Sequence, residues 1–169
     1  MKRLAVGTLS SVVLALSLSL PFAATSLAAN GTLQATFVNI YSQCPTSPPT
    51  NVFCGDGNVV GYGAAYSTAA LAGPLVPLGG GCFALTAVRT ITLLDGTGSL
   101  TMHETGTKCA SSAAAFQNAQ GVPYTVAKTY TISGGTGVFA GASGSGSDIN
   151  RSAGNSQVSV ISGTIAFVS

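Results

Sequence analysis

The sequence predicts an all-β domain of short antiparallel strands, arranged as a barrel or a sandwich. In several stretches, aliphatic or aromatic residues alternate with Thr and Ser, which is the period of a half-buried strand. The chain also holds 22 glycines and seven prolines, many of them grouped between these stretches as turn residues. No stretch between strands has a sustained helical period. The alternation gives seven strands, and residues 69–78 leave room for an eighth.

The N-terminal segment, residues 1–29, has the order of a secretory signal peptide. Lys2 and Arg3 precede an apolar run over residues 4–20, and small residues follow up to Ala28 and Ala29. An uncleaved membrane anchor is the alternative, but the apolar run is short and ends at Pro21. We therefore expect a secreted protein, extracellular or periplasmic, in which residues 30–169 form a single domain without a membrane segment.

The charge of the mature chain excludes several classes of partner. The whole chain has six Lys and Arg against four Asp and Glu, so removing Lys2 and Arg3 leaves four of each and no net charge. Such a chain has no positive field for nucleic acid. It contains no G-x-S-x-G, H-E-x-x-H, Walker or calcium-loop motif, and His103 is its single histidine. We expect no metal, no cofactor and no hydrolase activity.

The first strand is predicted over residues 31–42, followed by a loop over residues 43–57 rich in Pro, Ser, Asn and Gly. Alternation resumes over residues 58–67 and places Tyr62 and Tyr66 on one face, with glycines on the other. Residues 69–81 are mostly loop, because they contain two prolines and three consecutive glycines.

The clearest local prediction is a hairpin. Two Thr-rich and aliphatic runs flank Asp95-Gly96, a favoured pair for a two-residue type I′ loop. That loop places Cys82 opposite Cys109, as a hydrogen-bonded pair with the wider Cα spacing. The same register puts His103 on the hydroxyl-rich face and places Arg89 and Glu104 on the aliphatic face.

The four cysteines of an exported chain predict two disulfides, for which three connectivities exist. We favour Cys44–Cys54 and Cys82–Cys109, since each bridge closes a local element. A zinc site is the competing interpretation. It is disfavoured because the spacing is not C-x-x-C and the chain has a single histidine.

The second half of the chain continues the strand pattern. One or two helical turns are predicted over residues 110–121, and then strands over residues 123–132, 137–148 and 156–168. Between the first two of these strands, Gly134-Gly135 predicts a two-residue hairpin turn. That turn would place Tyr130 opposite Phe139 and Lys128 opposite Gly141.

Residues 134–146 read GGTGVFAGASGSG. This run resembles the signature of the allene oxide cyclase barrel-like and dirigent-like superfamily, in which G-G-T-G-x-F precedes a strand of small residues. Gly134, Gly135, Gly137 and Phe139 carry the match, whereas Val138 replaces the Arg or Lys that is common there. A dinucleotide fingerprint is excluded because a strand, not a helix, follows.

The resemblance implies an eight-stranded antiparallel β-barrel. In this family the signature lies in the late, C-terminal part of the barrel. The resemblance also implies a cavity that shapes a reactive lipid or radical substrate without metal or bound cofactor. Homo-oligomers are common among such barrels. The resemblance supports the fold more strongly than any reaction, because one fold hosts many functions.

The candidate binding residues are the polar groups that fall on otherwise apolar strand faces. If those faces line the barrel, these groups would orient a small hydrophobic ligand bearing a carboxylate or carbonyl. The protein would then be a binding protein, or a cofactor-free cyclase or isomerase, or dirigent-like. The alternatives are a structural ion pair in a filled barrel, apolar faces packed between subunits, and a non-catalytic extracellular adhesion or assembly protein. The candidate residues are Arg89, Glu104, Lys128, Tyr130, Tyr62 and Tyr66.

Overall fold

The structure is a computed structural model that describes residues 30–41, 44, 52–110, 123–153 and 156–167. The predicted signal peptide and residues 111–121 of the predicted helical segment lie outside this part of the chain. Within it, all regular structure is strand. The strands are β1 (Asn30–Tyr41), β2 (Val52–Val59), β3 (Gly63–Leu71), β4 (Val76–Gly79), β5 (Cys82–Leu93), β6 (Gly98–Ala110), β7 (Tyr124–Gly137), β8 (Ala142–Ser143), β9 (Ser145–Ala153) and β10 (Ser156–Phe167).

Eight of these strands close into a barrel, in the order β1-β2-β3-β5-β6-β7-β9-β10, and β10 pairs back onto β1. All pairings are antiparallel and the eight strands follow one another around the barrel in chain order, so the barrel is of the up-and-down type. The short strands β4 and β8 add to β5 and β10 outside this cycle. The predicted eight-stranded antiparallel barrel is confirmed, and the sandwich alternative is wrong.

The eighth strand of the barrel is β2, not the predicted segment 69–78. Residues 52–57, predicted as loop, form most of β2, and the chain turns at residues 60–62 before β3 begins. The glycines that suggested a loop are needed for close packing inside the barrel. A Cβ atom at Gly57 would lie 2.5 Å from Cδ1 of Phe37, and one at Gly55 would lie 1.9 Å from the carbonyl oxygen of Val38.

The β5–β6 hairpin has the predicted register, with Cys82 opposite Cys109. Its loop, however, comprises four residues, 94–97, instead of two. Since both lengths are even, the register is unchanged, but the hydrogen-bonded and non-hydrogen-bonded pairs exchange places. The Ala110 N–H donates to the Gly81 carbonyl at 3.0 Å, so the neighbouring cysteine pair is of the closer kind, with Cα atoms 4.1 Å apart.

Gly134 and Gly135 do not form the predicted hairpin turn. Strand β7 continues through both residues and pairs with β6, with Ser133 as the extra residue of a bulge. The chain turns at residues 138–141 instead. Tyr130 therefore pairs with Gly146, and Lys128 pairs with Asp148, so both predicted partners are wrong.

The barrel interior has two apolar clusters separated by a polar layer. Along β7, for example, Val126 lies in one cluster, Lys128 in the polar layer, and Tyr130 and Ile132 in the other cluster. The larger cluster includes Phe139 of the 138–141 turn, which is fully buried and therefore closes that end of the barrel. Both predicted disulfides, Cys44–Cys54 and Cys82–Cys109, are present.

Candidate ligand-binding site in the barrel

Four charged side chains form the centre of the polar layer. They come from inward-facing positions on four consecutive barrel strands: Arg89 on β5, Glu104 on β6, Lys128 on β7 and Asp148 on β9. All four are buried. Strand alternation places each one toward the interior, because its sequence neighbours face the opposite side of the sheet.

The four groups form a closed set of ion pairs. Arg89 Nε donates to Glu104 Oε1 at 2.7 Å, and Arg89 Nη2 donates to Asp148 Oδ2 at 2.8 Å. The Lys128 ammonium contacts both carboxylates, Glu104 through Oε2 and Asp148 through Oδ2. Two positive and two negative charges cancel, which is the condition under which burial of ionised groups is tolerated.

The ion pairs determine the protonation of this layer. Burial alone would raise the pKa of Asp148, but Arg89 and Lys128 outweigh it and bring the pKa to about 2, from an ordinary value of 3.8. For Arg89, burial acts to lower the pKa, and the carboxylates of Glu104 and Asp148 raise it above its ordinary value. Asp148 and Arg89 are therefore both ionised at neutral pH.

Hydroxyl and amide groups extend the layer around the ion pairs. Arg89 Nη1 donates to Ser67 Oγ at 2.8 Å, and the Ser159 hydroxyl donates to Asp148 Oδ1 at 2.6 Å. On the other side, Gln157 Nε2 donates to Asn150 Oδ1, and the Tyr124 hydroxyl donates to Gln157 Oε1 at 3.0 Å. Each charged group thus has hydrogen-bond or ion-pair partners among named neighbours.

A cavity lies on the side of the polar layer away from Phe139. Its volume is about 60 Å³. Most of its wall is apolar, and the polar groups in it are Lys108, Lys128, Asn150 and Gln157, with the ring and hydroxyl of Tyr124. The apolar lining residues are Phe53, Ala69, Leu71, Leu75, Leu85, Ala87 and Val126.

Asn150 stands out in this wall. It is fully buried, and its Nδ2 atom has no hydrogen-bond partner. Leaving a buried donor unsatisfied costs about 1–3 kcal/mol. A hydrogen-bond acceptor that reached Nδ2 would remove that cost. The other buried side-chain atoms without a partner in the described residues belong to Asn39, Tyr66 and Tyr130.

The structure brings some of the sequence-predicted site residues together and separates others. Arg89, Glu104 and Lys128 form the ion-pair layer, and Lys128 also lines the cavity. Tyr130 is buried in the larger apolar cluster, where a Cβ atom at Gly163 would lie 2.4 Å from its hydroxyl oxygen. Burial, with a contribution from Asp148, raises the pKa of Tyr130 to about 12.

The two remaining tyrosines lie elsewhere. Tyr62 is in the 60–62 turn and packs against Phe139, with ring centroids 4.6 Å apart, at the end of the barrel opposite the cavity. Tyr66 was predicted on the same face as Tyr62, but β3 turns Ala65 and Ser67 inward, so Tyr66 faces outward. The chain reversal at residues 60–62 breaks the alternation on which that prediction rested.

Sequence reasoning missed the polar residues of β9 and β10. Asp148, Asn150, Gln157 and Ser159 face inward, while Ile149, Val158 and Val160 face outward, so the polarity is inverted in this part of β9 and in the first half of β10. The second half of β10 has the usual polarity, with Ile161 and Ile165 buried in the core. The prediction assigned apolar faces to the interior. Charge balance was the signal that could have found Asp148, because two buried cations beside Glu104 require a second buried carboxylate.

No set of three or more His, Cys, Asp and Glu side chains in the described residues is arranged to hold a metal ion. No helix among those residues is long and apolar enough to span a bilayer.

The chain was compared with protein-family models, with curated proteins and with solved structures. None of the three comparisons gives a match. The structure shows a closed eight-stranded barrel, and the assignment to the allene oxide cyclase barrel-like and dirigent-like superfamily remains a hypothesis that rests on residues 134–146.

Proposed function

We propose that this protein binds a small, mostly apolar molecule in the cavity beside the ion-pair layer. The observation that carries the proposal is Asn150 Nδ2, a buried donor without a partner in a residue that lines this mostly apolar cavity. A small-molecule site usually has a mostly apolar wall with a few polar groups in it.

The arrangement favours binding and shaping of a ligand over proton transfer. Arg89 and Asp148 are committed to ion pairs, and a carboxylate with a pKa of about 2 is a weak base at neutral pH. If the protein has an activity, we propose that it is a cofactor-free cyclisation or isomerisation, or dirigent-like steering, in which the wall selects the conformation of a reactive substrate. The resemblance of residues 134–146 supports the same class.

We propose that the protein works after export, in an oxidising compartment. Its two disulfides are consistent with such a location. The charged and apolar order of residues 1–29 supports export by signal peptide.

Native mass spectrometry of the exported protein tests the binding proposal. We expect a bound small molecule that is released on denaturation. Ala87→Leu, which fills the cavity, should abolish it. Ala127→Leu on the exposed face of β7 is the matched control and should retain it. A mass without any adduct from several expression hosts would contradict the proposal.

One observation favours a second function, that of a non-catalytic extracellular assembly protein. Val38 is 52% exposed and pairs with Val158, which is 43% exposed, and the exposed residues Ile149 and Val160 are paired beside them. Contiguous exposed apolar residues on a sheet often mark an interaction surface. Light scattering as a function of concentration tests this function, and Val158→Thr with Val160→Thr should then reduce the measured mass to that of a monomer.

A further inference from the structure

The cavity wall offers hydrogen-bond donors to a ligand. Asn150 Nδ2 is one of them, as described above. Lys128 supplies another, because an ammonium group has three N–H bonds and two of them point to Glu104 and Asp148. Both residues belong to the cavity lining.

The amide oxygens in the same wall each already accept a hydrogen bond. Asn150 Oδ1 accepts from Gln157 Nε2, and Gln157 Oε1 accepts from the Tyr124 hydroxyl at 3.0 Å. This chain of hydrogen bonds starts at the Tyr124 hydroxyl and ends at Asn150 Oδ1. It identifies Nδ2 as the amide nitrogen of Asn150, which is the donor without a partner. The group without a partner is a donor, so a ligand atom that pairs with it is an acceptor.

The charges around Lys128 decide what kind of acceptor fits beside it. Arg89 and Lys128 contribute two positive charges, and Glu104 and Asp148 contribute two negative charges, so the layer is neutral before a ligand arrives. A carboxylate placed against Lys128 would add an uncompensated negative charge next to two buried carboxylates. Removing that carboxylate from water would not be offset.

Lys108 adds a positive charge to the cavity wall, outside the four ion pairs of the polar layer. Its ammonium lies 4.1 Å from the centroid of the Tyr124 ring, where it is engaged in a cation–π contact. Burial lowers the pKa of Lys108, in keeping with a site where an ammonium charge is poorly hydrated.

We infer that the site selects an uncharged carbonyl oxygen, as in a ketone, aldehyde, ester or lactone, in preference to a carboxylate. The inference rests on the proposed binding function and specifies its ligand class. The donors Asn150 Nδ2 and Lys128 Nζ would hold the carbonyl oxygen, and the apolar wall would hold the hydrocarbon. The cavity volume of about 60 Å³ corresponds to about four to six water-sized groups, which fits a small carbonyl compound or one end of a larger one.

Three probes of equal size test this inference: 2-pentanone, butyrate and 2-methyl-1-pentene. Butyrate replaces a methyl group of the ketone with a charged oxygen, and the alkene replaces the carbonyl oxygen with a methylene group. Titration of the isotope-labelled protein, followed by NMR, gives each affinity and the shift of the Asn150 side-chain amide. We expect 2-pentanone to bind about tenfold more tightly than either analogue and to move that amide resonance.

Two variants test whether Asn150 is the source of the preference for the ketone. Asn150→Leu should remove the preference for the ketone over the alkene. Asn39→Leu is the matched control, because Asn39 is also buried and without a side-chain partner but does not line the cavity. It should keep the preference. If Asn150→Leu fails to fold, the wild-type titrations still decide.

Equal or tighter binding of butyrate or of the alkene would overturn the inference and leave the binding proposal standing. If none of the three probes binds, both are overturned.

Discussion

Arg89 on β5 and Asp148 on β9 meet inside the barrel, with Nη2 and Oδ2 2.8 Å apart, although β6 and β7 separate their strands in the sheet. Glu104 on β6 and Lys128 on β7 lie in the same layer. Glu104 contacts both Arg89 and Lys128, so the intervening strands also take part in the ion pairs. Four strands are therefore joined by side-chain contacts in addition to their backbone ladders.

Removing one carboxylate from this layer should be costly. Asp148→Asn leaves two buried cations with one counter-charge, and we expect a loss of about 3–5 kcal/mol in the free energy of unfolding, measured with urea at neutral pH. Asp56→Asn is the matched control, because Asp56 is exposed on β2, and it should change stability by less than about 0.5 kcal/mol. Similar small effects for both variants would contradict the role of the layer. Adding Lys128→Met to Asp148→Asn restores neutrality and should recover part of the loss.

Stability should fall in acid because of Asp148. Its pKa is about 2 in the folded protein and near 3.8 in the unfolded chain. The lowered pKa therefore contributes stability that is complete above about pH 4 and is lost as the pH falls towards 2. The contribution is about 2 kcal/mol. Urea unfolding from pH 5 to 2 measures it, and the slope should be smaller in Asp148→Asn. An equal slope in the variant would assign the acid sensitivity to other groups.

Two adjacent glycines should respond in opposite ways to substitution. A Cβ atom at Gly135 would lie 2.3 Å from the carbonyl oxygen of Phe139, whereas one at Gly134 would meet nothing within 4 Å. We expect Gly135→Ala to destabilise the barrel by at least about 2 kcal/mol and Gly134→Ala to be neutral or slightly stabilising. Thermal unfolding of the two variants checks this. If both variants were strongly destabilised, the result would favour a hairpin turn at Gly134-Gly135, which the sequence predicts and the structure does not contain.

The two disulfides should contribute unequally. Chain-entropy estimates give about 3 kcal/mol for Cys44–Cys54 and about 3.5 kcal/mol for Cys82–Cys109, because the second closes the longer loop. Replacing each pair with Ala and measuring the urea midpoint tests this order. Peptide mapping without reduction should find these two links, and a Cys44–Cys82 link would be incompatible with the β5–β6 register.

Much of the fold could be predicted because the signals are local. The alternation of Leu85, Ala87, Ile91 and Leu93 with threonines identifies β5, and the cysteine spacing fixes its pairing with β6. Residues 52–57 were predicted as loop because glycine is common in loops. Gly55 and Gly57 are instead glycines because their backbone lies too close to β1 for a Cβ atom.

The candidate site was predictable in part. Arg89, Glu104 and Lys128 were found because a charge among aliphatic residues is conspicuous in strand alternation. Asp148 and Asn150 were not, because Ile149 between them lies on the outside, and which face of a strand is inward depends on its neighbours in the closed barrel.

The sequence by itself indicated the all-β class and most of the barrel strands, favoured the two disulfide pairs, and gave equal numbers of acidic and basic residues in residues 30–169, since each follows from residue type and spacing. Tertiary structure decided which charges meet, where the cavity lies and which donor in its wall has no partner. These properties depend on barrel closure, which brings β5 and β9 within hydrogen-bonding reach across an interior that no local pattern describes.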